Sequence, residues 1–399
     1  SMNRPQKNPM SEFWGLDAST IFLNHGSYGA TPTIVLEEQK RWQQLVEKDP
    51  VKFYEEIAPK ALLETRKAIA KFVKCDYDDL ALIENATSGV NTVLRSLDFK
   101  IDDEILVPNH AYQACRNTID FVARKNNAKV VTCEIPFPIN NEEIIIEEIM
   151  RCVTERTKLA LIDTVTSPTG IKMPFEKLVK ILENKGIKVL LDAAHGIGMI
   201  PLDLEQIGAS FTTSNCHKWL CTPKGSAFLH VRKDMQEFIH PLTISHGMTA
   251  PLEGTSRFRH EFDWTGTRDI SAWCVIPYVI SEVSKIVGMS WEEIMQHNNN
   301  LVIEARKYLC RELDIPPPCP DKMIASIATI KLNFDDYTNL SIHEPDSIHI
   351  DLLEGYNIQV PVWYWPNPEG RYMRISAQIY NNLDEYEYLA FALKNVCKN

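Results

Sequence analysis

Ten cysteines are spread along the chain, at positions 75, 115, 133, 152, 216, 221, 274, 310, 319 and 397. No two of them form a C-x-x-C pair or show zinc-ligand spacing, which argues against a zinc site. Scattered cysteines of this kind read as the reduced thiols of a cytoplasmic protein. Runs of lysine and arginine are missing too: 42 basic residues stand against 53 acidic ones, for a net charge of −11. Nucleic acid and anionic membrane are therefore poor candidates for the main partner. No apolar stretch reaches the roughly 20 residues of a membrane-spanning helix. The opening SMNRPQKNPM lacks the apolar core of a secretion signal, and the closing CKN is not a peroxisomal address. Internal repeats and low-complexity segments are absent as well.

What is present is globular. Of 399 residues, 44% are hydrophobic and 24% charged, a length that suggests about two to three domain-sized units. Residues 34–73 read as helix, with a break expected near Pro50 and Pro59. Strands and helices then alternate. ALIEN (81–85) is a short apolar run, and Val90, Val93, Leu94 and Leu97 after it share one helical face. EILVPNH, KVVTCEI, KLALIDTV (158–165), KVLLDAAH (188–195), SFTTSN and SAFLHV read as further strands, with helices predicted around 112–126 and 174–185. Near-continuous apolar strands alternating with helices indicate an α/β fold whose mostly parallel sheet is covered on both faces. Beyond about 280 come a long helix (289–313), the stiff PPPCP, the strand-like SIATIKLNF, a helix near 345–355, the strand RYMRISAQIYN and a final helix (384–396).

Ligands of such sheets bind beyond the carboxyl ends of the strands, and three strand ends carry chemistry. ENATSG (84–89) joins a strand to a helix, where Thr87, Ser88 and Gly89 offer backbone N–H groups to a phosphate. The same residues also suit an ordinary helix cap. LLDAAHG (190–196) ends on Asp192. A carboxylate there can keep a heterocyclic nitrogen protonated, Ala193 and Ala194 leave room for a flat ring, and His195 can reach a phenolic oxygen. An Asp that merely caps the next segment would look the same. SNCHKWL (214–220) offers Lys218, which can capture an aldehyde cofactor as a Schiff base, with His217 near its phosphate. A surface lysine is the plain alternative.

Taken in this order, over DAAHGIGMIPLDLEQIGASFTTSNCHKWL above all, the series resembles pyridoxal phosphate enzymes of fold type I. More narrowly, it is similar to the class V aminotransferase superfamily and its isopenicillin N epimerase-like branch. The resemblance runs over nearly the whole chain. It implies a large pyridoxal-phosphate domain over 31–280, a smaller C-terminal α+β domain over 281–399, and an N-terminal segment (1–30) packed near the active site. It implies Lys218 as the lysine that carries pyridoxal 5'-phosphate, Asp192 as partner of the pyridine nitrogen and His195 at the phenolate oxygen. Thr87, Ser88 and His217 match phosphate contacts. Thr267 of WTGTRD (264–269) matches a residue that reaches the neighbouring subunit's phosphate, which implies a homodimer with active sites at the interface. Arg374 of RISAQIYN matches the arginine that holds the substrate carboxylate in a bidentate fork, and Asn24 and His25 of LNHGSYGATP match a stretch lying over the substrate. NHAYQACR (109–116) falls where the family stacks a ring on the cofactor, with Tyr112 first and His110 second. Here Ala111 and Gln113 replace the acidic residue and glycine common around that tyrosine.

Members of that branch include epimerases, ring-forming enzymes of fungal alkaloid pathways and hercynylcysteine sulfoxide lyases of ergothioneine biosynthesis. Cysteine desulfurases carry a persulfide-forming cysteine shortly before the carboxylate arginine, whereas GYNIQVPVWYWPNPEGRYMR has none. Cys133 resembles a cysteine of the fungal ergothioneine lyases and is a candidate to handle a sulfenic leaving group, though a packed small hydrophobe fits as well. VWYWP (362–366) either lines a pocket for a bulky or cationic side chain or packs inside the small domain. The expectation is a C–S lyase that β-eliminates an S-substituted cysteine or its sulfoxide. Epimerisation and transamination of an amino-acid substrate are the alternatives.

Overall fold

Near-continuous apolar strands leave this chain's central sheet little choice but burial on both faces. The computed structural model, which describes residues 2–333, 341–366 and 368–397, contains a seven-stranded sheet. Its strands are β1 (Leu80–Ile83), β2 (Glu104–Pro108), β3 (Lys129–Cys133), β4 (Thr157–Asp163), β5 (Lys188–Asp192), β6 (Phe211–Asn215) and β7 (Ala227–Val231), in the spatial order β1-β7-β6-β5-β4-β2-β3. From β3 to β6 every neighbour is parallel. β7 alone reverses, pairing antiparallel with β6 and β1. The link from β6 to β7 holds no crossover helix, and a connection that short cannot return a strand in parallel. Along β5, Leu190 and Leu191 are both 0% exposed yet belong to different core clusters, one on each face. Each such side chain contributes about 1.5–3 kcal/mol of burial.

The helix expected over 34–73 breaks at Asp49, next to Pro50. Thr33–Lys48 ends at Asp49, whose side chain accepts from the Lys52 amide, with Pro50 in the first turn after it. Pro59 lies in the first turn of Ala58–Val73, where its missing N–H costs nothing, and a π turn over Phe53–Ile57 leads into it.

A second, antiparallel sheet has the order β9-β10-β8, where β8 is Ile327–Leu332, β9 Val362–Pro366 and β10 Glu369–Ser376. The strand expected as SIATIKLNF reaches Phe334, which lies outside the described residues. The flanking helices Trp291–Glu312 and Leu383–Val396 each open on a capping box, Ser290 with Glu293 and Asn382 with Glu385. The start of the chain joins this sheet's neighbourhood: Ile21–Phe22 pairs in parallel with Ile358–Gln359, and the Ser376 amide donates to the Leu23 carbonyl. That pairing carries Asn24 and His25 to the end of β10.

Candidate active site

Five strand ends converge on one cavity of about 240 Å³, whose lining includes Thr87, Tyr112, Asp192, His195, His217 and Lys218. Lys218 lies in the turn after β6. His25 sits behind it: Nε2–H donates to the Lys218 carbonyl (2.7 Å) and Nδ1 accepts from the Tyr380 hydroxyl (2.7 Å). His25 is fully buried, with one ring nitrogen fixing the lysine's backbone and the other anchored on Tyr380. Gly29 makes the close approach possible. At φ +71°, a Cβ there would stand 2.1 Å from the His217 carbonyl oxygen. Burial, with Arg374 nearby, pushes the Lys218 amine down to about 8, so an appreciable fraction is unprotonated and nucleophilic near neutrality.

Asp192 closes β5. Its Oδ1 accepts from the Ala194 amide (3.0 Å) and its Oδ2 from the Cys115 thiol (3.5 Å). Beside it, in register at the end of β4, is Asp163. His195 accepts at Nδ1 from the indole N–H of Trp219 (3.2 Å). Indole nitrogen is a donor only, so the neutral ring carries its proton on Nε2, and burial holds the ring neutral, well below the ordinary histidine range. That Nε2–H is buried with no hydrogen-bond partner among the described residues.

The phosphate turn differs in detail from expectation. Asn85, not Thr87 or Ser88, caps the helix Ala86–Ser96, accepting from the Ser88 amide (2.8 Å). Asn215 takes the Ala86 amide (2.8 Å). Thr87 lines the cavity, whereas Ser88 turns away and donates to Glu84 (2.6 Å). Gly89 serves packing: a Cβ there would meet Thr213 Oγ1 at 2.2 Å, so it lets the helix approach β6. His217 lines the cavity with Nδ1 occupied by the Ser226 amide (3.3 Å), and burial lowers it to about 4.

Tyr112 precedes the helix Gln113–Asn126 and stands half-exposed over the cavity. His110 does not reach it. Nε2–H donates to the Ile135 carbonyl (2.9 Å), Nδ1 accepts from Thr169 (2.7 Å), and the ring meets Trp365 edge-on. Trp365 also packs against Tyr372, so its place is within the small sheet and not on this cavity. Cys133 is likewise elsewhere. It is fully buried in the core, and burial together with Cys152 drives its thiol far up. A thiol so placed cannot meet a leaving group in the cavity. Thr267 is exposed and lines a neighbouring hollow with Glu84, Ser88 and Arg268.

Arg374, on β10, is 6% exposed. Nη1 donates to the Ser167 carbonyl (2.8 Å), Nη2 to Ser27 Oγ (3.0 Å) and, at 3.5 Å, to Asn24 Oδ1. Nε is buried with no hydrogen-bond partner among the described residues. Among the described residues no carboxylate pairs with it, and burial lowers the guanidinium to about 10. Asn24 and Ser27 thus act through Arg374. The sequence reading missed Ser27, Cys115, Asp163 and Asn215. Asp163 did carry a signal, since KLALID and KVLLD are two apolar strands that both stop on aspartate.

These groups fit pyridoxal phosphate: an amine for its aldehyde, a carboxylate for its ring nitrogen, and an orphaned N–H at His195 for its phenolate oxygen. Such a set at the ends of a mostly parallel sheet defines a pyridoxal-phosphate enzyme of fold type I. A comparison with family models sharpens this, because the Aminotransferase class-V model matches residues 34–389. The chain belongs to that family. It is similar to the probable L-cysteine desulfhydrase, chloroplastic, of Arabidopsis thaliana, 30% identical over 98% of this chain and 85% of that one. It also matches the hercynylcysteine sulfoxide lyase of Schizosaccharomyces pombe, 24% identical over 99% of both. Among solved structures, a cysteine desulfurase from Thermococcus onnurineus NA1 shares the fold at TM-score 0.79 and 19% identity, covering all of both chains.

Proposed function

We propose that this enzyme is a C–S lyase that β-eliminates an S-substituted cysteine or cysteine sulfoxide, with an ergothioneine-type sulfoxide among the substrates to try first. Arg374 carries the reading. A buried guanidinium with no acidic partner and an orphaned Nε suits a substrate carboxylate within reach of Lys218. Relatives that act on cysteine or a cysteine sulfoxide support the leaving group. No cysteine precedes Arg374 between 355 and 373. Among the described residues the cavity's one thiol, Cys115, is hydrogen-bonded to Asp192. Both facts favour direct elimination over persulfide chemistry.

The cofactor supplies an electron sink for negative charge at the substrate's Cα. Arg374 holds the carboxylate and so sets which Cα bond faces Lys218. The Lys218 amine takes the Cα proton. The Cβ–S bond then breaks, sulfur leaves with the electron pair as thiolate or sulfenate, and the aminoacrylate released hydrolyses to keto acid and ammonia. Asp192 would hold the cofactor at its ring nitrogen and keep that nitrogen protonated, and His195 Nε2–H would meet its phenolate oxygen. Tyr112 would lie over it, and Thr87 and His217 would hold its phosphate.

A homodimer completes the site in this reading. Ile244, Met248 and Leu252 are 52%, 59% and 55% exposed, more apolar surface than one short segment usually leaves to water. Thr267 is exposed in an outer hollow that Leu242 also lines, and would meet the partner's phosphate. The proposed division is a large domain to about 280 and a small domain beyond, with cytoplasmic location supported by ten free cysteines. Among the described residues no helix is long and apolar enough to cross a membrane.

The test is one assay of loaded enzyme with cysteine S-conjugates and their sulfoxides in deuterated water. Keto acid formation supports the lyase. Deuterium at Cα without keto acid would establish epimerisation instead, and amino transfer to an added keto acid would establish an aminotransferase.

A further inference from the structure

Two aspartates end adjacent parallel strands in direct register, Asp163 on β4 and Asp192 on β5. They are 3% and 4% exposed. Asp192 already has two donors, the Ala194 amide and the Cys115 thiol. Asp163 Oδ2 is buried with no donor to it among the described residues. The charged and titratable groups around the pair are Cys115 on its helix, and Lys218, Arg374 and Tyr112 across the cavity; none forms an ion pair with either carboxylate among the described residues. Two carboxylates side by side in so dry a place cannot both be ionised.

We propose that Asp163 is a positioning residue: it stays protonated, donates its proton to Asp192, and thereby aims and steadies the carboxylate that meets the cofactor's ring nitrogen. The geometry decides which member holds the proton. Asp192 has N–H and S–H donors, which stabilise an anion, and it opens on the cavity. Asp163 has only burial and a neighbouring charge, and both push its carboxyl well above the ordinary range. The macroscopic titration belongs to the pair. A shared proton would also make Asp192 a weaker base than a lone buried carboxylate, so the ring nitrogen keeps its proton.

The role toward the ring rests on the reading of Asp192 given above, but the shared proton does not. Folding takes up a proton at Asp163 between the unfolded value near 3.9 and its higher folded value. The pair's contribution to stability is therefore full in acid and falls as pH rises through that window. Asp163→Asn keeps a hydrogen-bond donor and has nothing to titrate, whereas Asp163→Ala removes the donor.

The experiment compares full-length wild type, D163N and D163A, each with and without pyridoxal phosphate. The first readout is the infrared carbonyl stretch of a protonated carboxyl at neutral pH, taken as wild type minus D163N. The second is Tm against pH, and the third is cofactor affinity. The proposal expects the protonated-carboxyl band to vanish in D163N and the Tm gap between D163N and wild type to widen from pH 4 to 8. It expects D163N to hold the cofactor nearly as wild type does, and D163A to lose about tenfold in affinity. An unchanged infrared spectrum, or parallel Tm profiles, would overturn it. If the band vanishes but D163A binds cofactor normally, the proton is shared and the role toward the ring is refuted. Failure of the Lys218 assignment would leave the infrared result untouched.

Discussion

The indole N–H of Trp219 donates to Nδ1 of His195 at 3.2 Å, and this bond fixes the proton of the buried imidazole on Nε2. Without that donor, either tautomer would be open to the ring, and half of the choice would present a lone pair to a phenolate. Trp219→Phe keeps most of the packing and removes the bond. The expected result is about a tenfold loss of pyridoxal phosphate affinity, the cost of one unsatisfied buried polar group. Titration of cofactor into the stripped protein measures it. Unchanged affinity would mean that His195 does not meet the phenolate.

Lys218→Ala should abolish the visible absorbance of lysine-bound cofactor. In the wild type, capture of cofactor needs the unprotonated amine, which sits near 8. The capture rate should therefore rise about tenfold per pH unit below 8 and level off above it, since protonation removes the nucleophile. Stopped-flow absorbance from pH 6 to 9 gives the profile. A rate flat across that range would show that the amine is not lowered.

Arg374→Lys keeps a positive charge but loses the fork. We expect a fall in kcat/KM of about 10²–10³-fold, carried mostly by KM, in line with about 3–4 kcal/mol for losing a buried bidentate pair. Steady-state kinetics on a cysteine sulfoxide decides it. If KM barely moves, the carboxylate is held elsewhere.

Cys133→Ala should leave kcat/KM within about twofold and cost roughly 1 kcal/mol of stability for the small cavity it opens. A collapse of turnover in a protein that still melts cooperatively would return Cys133 to the chemistry, against its burial beside Cys152.

Lys218, Asp192 and His195 were legible because strand ends announce themselves: an apolar run stops, and polar residues follow at the rim where parallel sheets bind ligands. Cys133 stayed open between chemistry and packing for a related reason. It ends β3 as Asp192 ends β5, but period-two alternation decides which face a side chain takes, and one sequence does not reveal the register. His110 and Tyr112 are two residues apart, yet only Tyr112 covers the cavity, because His110 is held by Thr169 and the Ile135 carbonyl. Such partners are 25 and 59 residues away and left no local trace. The break falls at Asp49, and Pro59 sits in the first turn of the next helix, a boundary that periodicity alone does not place. The reversed β7 needed only loop length, which the sequence did offer.

The pairing of Ile21–Phe22 with Ile358–Gln359 joins stretches over 300 residues apart, and on it hang His25 behind Lys218 and Asn24 beside Arg374. The backbone clamp behind the amine and the carboxylate fork therefore both depend on this one pairing of distant stretches. All seven strands of the central sheet lie before residue 232, so Lys218 and Asp192 come from one continuous half of the chain and Arg374 from the other. A cut between the two sheets would part the cofactor's seat from the carboxylate fork.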